Sequence, residues 1–132
     1  MKKDIAIKFG QYLDEDRYED VLPLLIDNCI YEIGDKTYHD SKEIVNLYKT
    51  NMLEGKQKFD QLIWGKSKVV VLSKDQFEVH FTDFLRHNGV DHTYQCKQLL
   101  TVNDQLKINK IEHVEFPEAR AAFEAFKKKV GL

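Results

Sequence analysis

Three residues in the second half of this chain could do acid–base chemistry together: the carboxylate of Asp83, the phenol of Tyr94 and the imidazole of His113. Converging on an apolar surface, such groups exchange protons with a carbonyl or hydroxyl compound, because partial burial moves pKa values toward neutrality. Antiparallel pairing is what would bring them together. Asn88-Gly89 has the composition of a two-residue type I′ turn, in which both residues take positive φ. Counting outward from it sets Leu85 opposite His92, Asp83 opposite Tyr94, Phe81 opposite Cys96 and Val79 opposite Gln98, all on one face. A second two-residue turn at Asn103-Asp104 then sets Tyr94 opposite His113 and Cys96 opposite Ile111. Asp83, Tyr94 and His113 would thus lie side by side on three adjacent strands, with Gln98 further along the same face. Leu106 and Ile108 alternate out of phase with Ile111, which points to a bulge near Asn109-Lys110. The opposite face carries Glu78, His80, Thr82, Phe84, Arg86, Gln95, Lys97 and Leu99, and the first face is the more apolar one.

The same polar groups could equally satisfy one another's hydrogen bonds inside the core, since buried polar groups need partners whether or not they catalyse. Other chemistries find less support. Of five histidines, His80 faces away from Asp83 and His113, and His87 and His92 flank the hairpin tip, so no three converge and no metal site is expected. Neither a Gly-x-Gly-x-x-Gly nor a Walker-type loop is present, and no cofactor is expected. Cys29 and Cys96 are too few and too far apart for a disulfide framework or a Cys-x-x-Cys site, and read as buried thiols. Phe77, Phe81 and Phe84 read as packing, while Trp64 fits either a pocket wall or a dimer face. A net charge of -2 supplies no field for phosphate backbones, so no nucleic acid is expected. No apolar run resembles a signal peptide or could span a bilayer, so the chain reads as cytoplasmic, with no membrane partner.

The elements ahead of the sheet follow from pattern and punctuation. At 132 residues the chain suits one domain, residues 1–132. Ile5, Phe9, Tyr12 and Leu13 share a helical face, predicting a helix over about residues 4 to 13. Asp14 to Asp20 suit the start of a second helix, with Val21, Leu22, Leu24, Leu25 and Ile26 buried and Pro23 kinking or dividing it. Residues 29–33 and 37–38 flank Gly34-Asp35-Lys36 as a short hairpin. Asp40 and Glu43 have capping-box spacing for a helix carrying Ile44, Val45, Leu47, Tyr48 and Met52, with Gly55 as its stop. From about Lys58 to Leu72 a long strand is expected, bent at Gly65. Pro117 opens a final helix whose face is Ala119, Ala122, Phe123, Phe126 and Val130, placed to close a cavity or to dock on the sheet. Helices and strands segregated in this way make an α+β architecture.

This order resembles the nuclear transport factor 2-like superfamily, and in particular its SnoaL-like members of the polyketide cyclase and ketosteroid isomerase type. Its local support is Arg17-Tyr18-Glu19-Asp20-Val21-Leu22-Pro23-Leu24-Leu25, then Ile30-Tyr31-Glu32, then Lys110-Ile111-Glu112-His113-Val114-Glu115-Phe116 leading into a helix. The resemblance implies a cone-shaped, curved mixed sheet packed on N-terminal helices, of nuclear transport factor 2-like or cystatin-like form, here with an added C-terminal helix. It also implies a pocket inside the cone and a homodimer through the outer sheet face. Ketosteroid isomerases use a tyrosine on the first helix, an aspartate at the first hairpin and a protonated aspartic acid on the sheet. Phe9, Ile33 and Gln98 occupy those positions in this sequence, so that activity is not expected.

The resulting expectation is a small, largely apolar organic ligand inside the cone, contacted by Gln98, Phe81, Cys96, Ile111, Ile33 and Phe9. Two alternatives stay open. One is an enzyme of isomerase, cyclase or lyase type, with Asp83 and His113 as proton carriers and Tyr94 orienting the substrate or stabilising charge on a carbonyl. The other is a non-catalytic protein-association module with a filled cone.

Overall fold

The computed structural model describes residues 1–132. Helix α1 (Lys2–Asp14) runs a turn longer than its apolar stripe and buries Ile5, Ala6 and Phe9. At its end Asp16 adopts a positive φ of 57°, a conformation that aspartate tolerates better than most residues, and the chain turns into α2 (Tyr18–Val21). Pro23 sits in a single 3-10 turn, Leu22–Leu24, after which the chain is already extended as β1 (Leu25–Ile33). The expected second helix is therefore cut short. Leu25 and Ile26 belong to a strand, because a register beside the last strand gives them a better-buried position than one more turn of helix.

Strand β1 folds back through Gly34, at φ 59°, into β2 (Lys36–Tyr38). Helix α3 (Ser41–Lys58) starts at Asp40, whose carboxylate accepts the backbone N–H groups of Lys42 and Glu43 at 2.7 and 3.3 Å. It does not stop at Gly55. That glycine lies inside the helix, where a Cβ would come within 2.7 Å of Leu62 Cδ2, so its role is close packing rather than termination.

The long strand expected over residues 58–72 is two strands, β3 (Gln61–Trp64) and β4 (Lys68–Val71), broken at Gly65. Both pair with β5 (Gln76–His87), β3 against residues 83–86 and β4 against residues 77–80. Strand β5 turns at Asn88-Gly89, both at positive φ, into β6 (Val90–Val102). The register is the one counted from that turn: Asp83 faces Tyr94, Phe81 faces Cys96, and Val79 faces Gln98.

The next connection departs from expectation. Strand β6 continues to Val102, and β7 (Ile108–Glu115) begins only after a five-residue loop in which Leu106 takes φ 59°. Asn103 organises the loop, its side-chain oxygen accepting the N–H groups of Gln105 and Lys107 at 3.0 Å each. Val102 pairs with Ile108 and Thr101 with Lys110, so Asn109 is the extra residue of the expected bulge. His113 consequently lies opposite Gln98, Ile111 opposite Leu100, and Glu115 opposite Cys96.

Strands follow the spatial order β2-β1-β7-β6-β5-β3, with β4 also on β5. The β1–β7 pair is parallel and the others antiparallel, giving a mixed, unclosed curved sheet. One apolar cluster joins α1 to the sheet through Phe9, Val79, Leu100, Ile108 and Ile111. A second lies under α4 (Pro117–Lys129), where Phe126 and Val130 cover Phe59, Leu85, Tyr94 and Cys96. Ala122 faces solvent, so the buried face of α4 is narrower than its pattern suggested. No helix is long and apolar enough to cross a membrane.

Candidate functional site

Between the two apolar clusters the cone holds a cavity of about 270 Å³. The end of α1 supplies Leu13 and Asp14, α2 supplies Tyr18, and α3 supplies Tyr48, Asn51, Met52 and Gly55. The concave sheet contributes Trp64, Phe81, Asp83, Leu85, Tyr94, Cys96 and Gln98, and Phe123 of α4 closes one side. The period of two along β5 and β6 is what aims Phe81, Asp83 and Leu85, with their partners Cys96, Tyr94 and His92, at this side of the sheet.

Asp83 is the chemically exposed group of the cavity. No hydrogen-bond donor of the chain compensates its carboxylate, and burial followed by the nearby charge of Asp14 pushes its pKa up to about 7. Asp14 is raised by burial as well, against the opposing Ser67 N–H that it accepts at 2.8 Å. Burial, reinforced by Glu115, pushes Tyr94 up to about 12, so it stays a neutral phenol at physiological pH. Cys96 is likewise pushed up to about 12 by burial, then by Asp83, and is an inert thiol rather than a nucleophile.

A polar chain runs from the cavity into the wall behind it. The Tyr48 hydroxyl donates to Gln98 Oε1, and Gln98 Nε2 lies 3.4 Å from His113 Nδ1. His113 Nε2 in turn sits 3.6 Å from Glu115. An amide facing Nδ1 with its N–H leaves the imidazole proton on Nε2, toward Glu115. Burial lowers the His113 pKa, with Glu115 opposing, so the ring is neutral. This chain orients Tyr48 and Gln98, and it does not carry protons, because a primary amide is a poor acid and base.

The proposed constellation of Asp83, Tyr94 and His113 is therefore divided. Asp83 and Tyr94 are paired neighbours on the cavity wall, whereas His113, on β7, faces Gln98, four positions along β6 from Tyr94, and is not part of the wall. Of the other expected contacts, Gln98, Phe81 and Cys96 line the cavity. Ile111 and Phe9 are fully buried in the α1 cluster, and Ile33 packs against that cluster. The slide of β7 moves Ile111 from Cys96 to Leu100, and Phe9 lies edge-on against the wall residues Tyr48 and Phe81 without lining the cavity itself.

Among the polar wall residues, Asp14, Tyr18 and Tyr48 were not anticipated as site residues, while Trp64 takes the pocket-wall position that was one of its two expected places. Asp14, read as an opening residue of the second helix, closes the first instead. Asp16 ties this corner together, accepting Trp64 Nε1 at 2.7 Å, the Tyr18 hydroxyl at 2.9 Å and Lys56 Nζ at 3.2 Å. Tyr48 lay on the expected apolar face of α3, the one local signal that could have placed it.

No family model matches the chain, and no curated protein matches its sequence. Solved structures match in shape. A candidate polyketide cyclase from Xanthomonas campestris pv. campestris aligns with TM-score 0.70 at 7% identity, over 92% of this chain and 94% of that one. TerC, co-crystallised with polyporic acid, aligns with TM-score 0.69 at 12% identity, over 94% of this chain and 95% of that one. A nuclear transport factor 2-like protein of unknown function from Exiguobacterium sp. 255-15 aligns with TM-score 0.61 at 14% identity, over 89% and 99%. Identities this low speak for fold rather than activity. The helix order, the mixed curved sheet and these likenesses together show that the chain has the nuclear transport factor 2-like, SnoaL-like fold.

Proposed function

We propose that this protein binds a small, largely apolar organic molecule in the cone cavity and that Asp83 exchanges a proton with it. The observation that carries this reading is the Asp83 carboxyl itself, set without a hydrogen-bond donor on an otherwise mostly apolar wall and poised near pH 7. A group with that pKa populates both its acid and base forms at physiological pH, the condition for efficient general catalysis. At about 270 Å³ the cavity lies near the lower end of the roughly 300–1,000 Å³ usual for small-molecule sites, which suits a ligand of one or two rings. That a structure of the same fold was co-crystallised with polyporic acid supports an organic ligand in this cone. The open cavity speaks against a filled-cone association module. His113, off the wall, is a positioning residue in this reading and Asp83 the proton carrier. The test is a substrate screen by native mass spectrometry, followed by turnover assays on any molecule retained. Asp83→Asn should abolish turnover, and unchanged turnover in that variant would remove Asp83 from the chemistry.

We further infer a homodimer through the outer sheet face. Ile63 and Phe84, paired across β3 and β5, are 50% and 47% exposed there. Sedimentation should show a dimer that Phe84→Glu converts to a monomer; a monomeric parent protein would refute it.

A further inference from the structure

The cavity's charge pattern bears on which organic molecule it takes, and the inference rests on the ligand-binding reading above. The only charged side chains on the wall are Asp14 and Asp83, with no lysine, arginine or histidine among them. A third carboxylate behind the wall, Asp16, is already matched by Trp64, Tyr18 and Lys56. Asp14 has the Ser67 N–H, and Asp83 has nothing. Around them stand the aromatic rings of Tyr18, Tyr48, Trp64 and Phe81.

We propose that the molecule bound here carries a cationic amine, its ammonium group pairing with Asp83 beside Asp14 and its hydrocarbon body lying among the aromatic rings. Each class of ligand meets this wall differently. An anion would face two carboxylates and no cation on the wall itself, Arg120 behind Tyr94 being shared with Glu115 and Glu124, and the low dielectric of a part-buried site makes that repulsion large. A neutral molecule would leave Asp83 without a countercharge. An ammonium gives Asp83 a charge-assisted donor, and the faces of the surrounding rings attract the same positive charge. Pairing also keeps Asp83 in its carboxylate form, so that it acts as a base toward an adjacent C–H or O–H of the same ligand.

The pairing makes binding pH-dependent. Asp83 is faced by Asp14 at the end of α1, by Trp64 on β3, and by Tyr94 and Cys96 on β6. Tyr94 and Cys96 stay neutral, so Asp14 and Asp83 alone titrate near or below neutrality. In the free protein Asp83 holds a proton below about pH 7, and an incoming ammonium expels it. Affinity for an amine therefore falls toward acid, approaching about tenfold per pH unit, while affinity for a neutral isostere does not.

The experiment compares 2-phenylethylamine, 2-phenylethanol and phenylacetate as probes of one shape and three charges. Trp64 is the only tryptophan of the chain and lines the cavity, so its emission reports occupancy, with calorimetry as a second readout. The amine should bind about tenfold or more tightly than the alcohol, phenylacetate weakest, with the amine's advantage growing between about pH 5.5 and about pH 8. Asp83→Asn, a near-isosteric change that removes an uncompensated charge and so spares the fold, should erase the preference without weakening the alcohol. An alcohol or carboxylate bound as tightly as the amine, or a preference that survives in the variant, overturns the amine assignment and leaves the cavity a ligand site. No binding of any of the three overturns both.

Discussion

Gln98 stands directly opposite His113 across β6 and β7, and its amide spans the gap between that imidazole and the Tyr48 hydroxyl. One buried side chain thereby satisfies two others, and ties α3 to the middle of the sheet. Its removal should be felt at both ends. Gln98→Leu should leave Tyr48 and His113 without partners and destabilise the fold by about 1–3 kcal/mol, read as a lower urea midpoint.

Gln98→Glu makes a sharper test. A carboxylate in that place would still accept from Tyr48, but it offers His113 Nδ1 no proton. The imidazole should then gain its own second proton, and NMR titration should find its pKa above that of the parent protein, where burial lowers it. An unchanged His113 titration would mean that the amide does not face the ring.

Asp83 should weaken the fold at neutral pH. Its pKa is raised from 3.8 to about 7, so between those values the folded state binds more protons than the unfolded one. Stability therefore declines as pH rises through that window, and the full cost, on the order of 2 kcal/mol after allowing for solvent in the cavity, is present above it. Asp83→Asn should be more stable than the parent at about pH 8 and nearly equal to it at about pH 4. Urea midpoints at the two pH values check this, and equal gains at both would refute it.

His92 behaves in the opposite sense. Its ring stacks on Phe126 at 4.8 Å and on Phe123 at 5.9 Å, its Nε2 is buried without a partner, and burial lowers its pKa from 6.5. Unfolding lets the ring bind a proton more readily, so stability is lost as pH falls below 6.5. His92→Phe should keep the stacking and remove this acid sensitivity. Hydrogen exchange in α4 at about pH 5 and about pH 7.5 is the measurement, and the fall in α4 protection toward acid should be smaller in the variant than in the parent.

Two glycines should respond differently to alanine. At Gly10 a Cβ would meet Ser67 Oγ and come within 3.0 Å of Val79 Cγ1, where α1 approaches the break between β3 and β4. Gly10→Ala should cost about 1–3 kcal/mol. At Gly55 the obstacle is the free end of the Leu62 side chain, which can turn aside, and alanine improves helix propensity by about 1 kcal/mol. Gly55→Ala should be neutral or stabilising by thermal melting, with a smaller cavity, since both residues line it.

Asn88-Gly89 could be understood from the sequence because its information is local. Two adjacent residues that tolerate positive φ impose a turn of one length, and every pair along β5 and β6 follows from it, Asp83 with Tyr94 included. The cap at Asp40 and the proline opening α4 were legible for the same reason. Asn103 misled because its side chain organises a five-residue loop that also needs Leu106 at positive φ, a conformation no propensity of leucine announces. That loop and the Asn109 bulge together slide β7, and so His113 meets Gln98 instead of Tyr94. Leu25 and Ile26 became strand because β7 offered β1 a parallel partner far away in the chain. The cavity wall lies beyond local signals altogether: Asp14, Tyr48 and Asp83 are far apart in sequence and share a surface only through the docking of two helices on a curved sheet. The sequence by itself determined the first, third and last helices, one hairpin register and the side of the sheet that Asp83 faces. Only the tertiary structure decided which charges surround Asp83, because burial and the neighbouring Asp14 set its pKa and neither is a property of nearby residues in the chain.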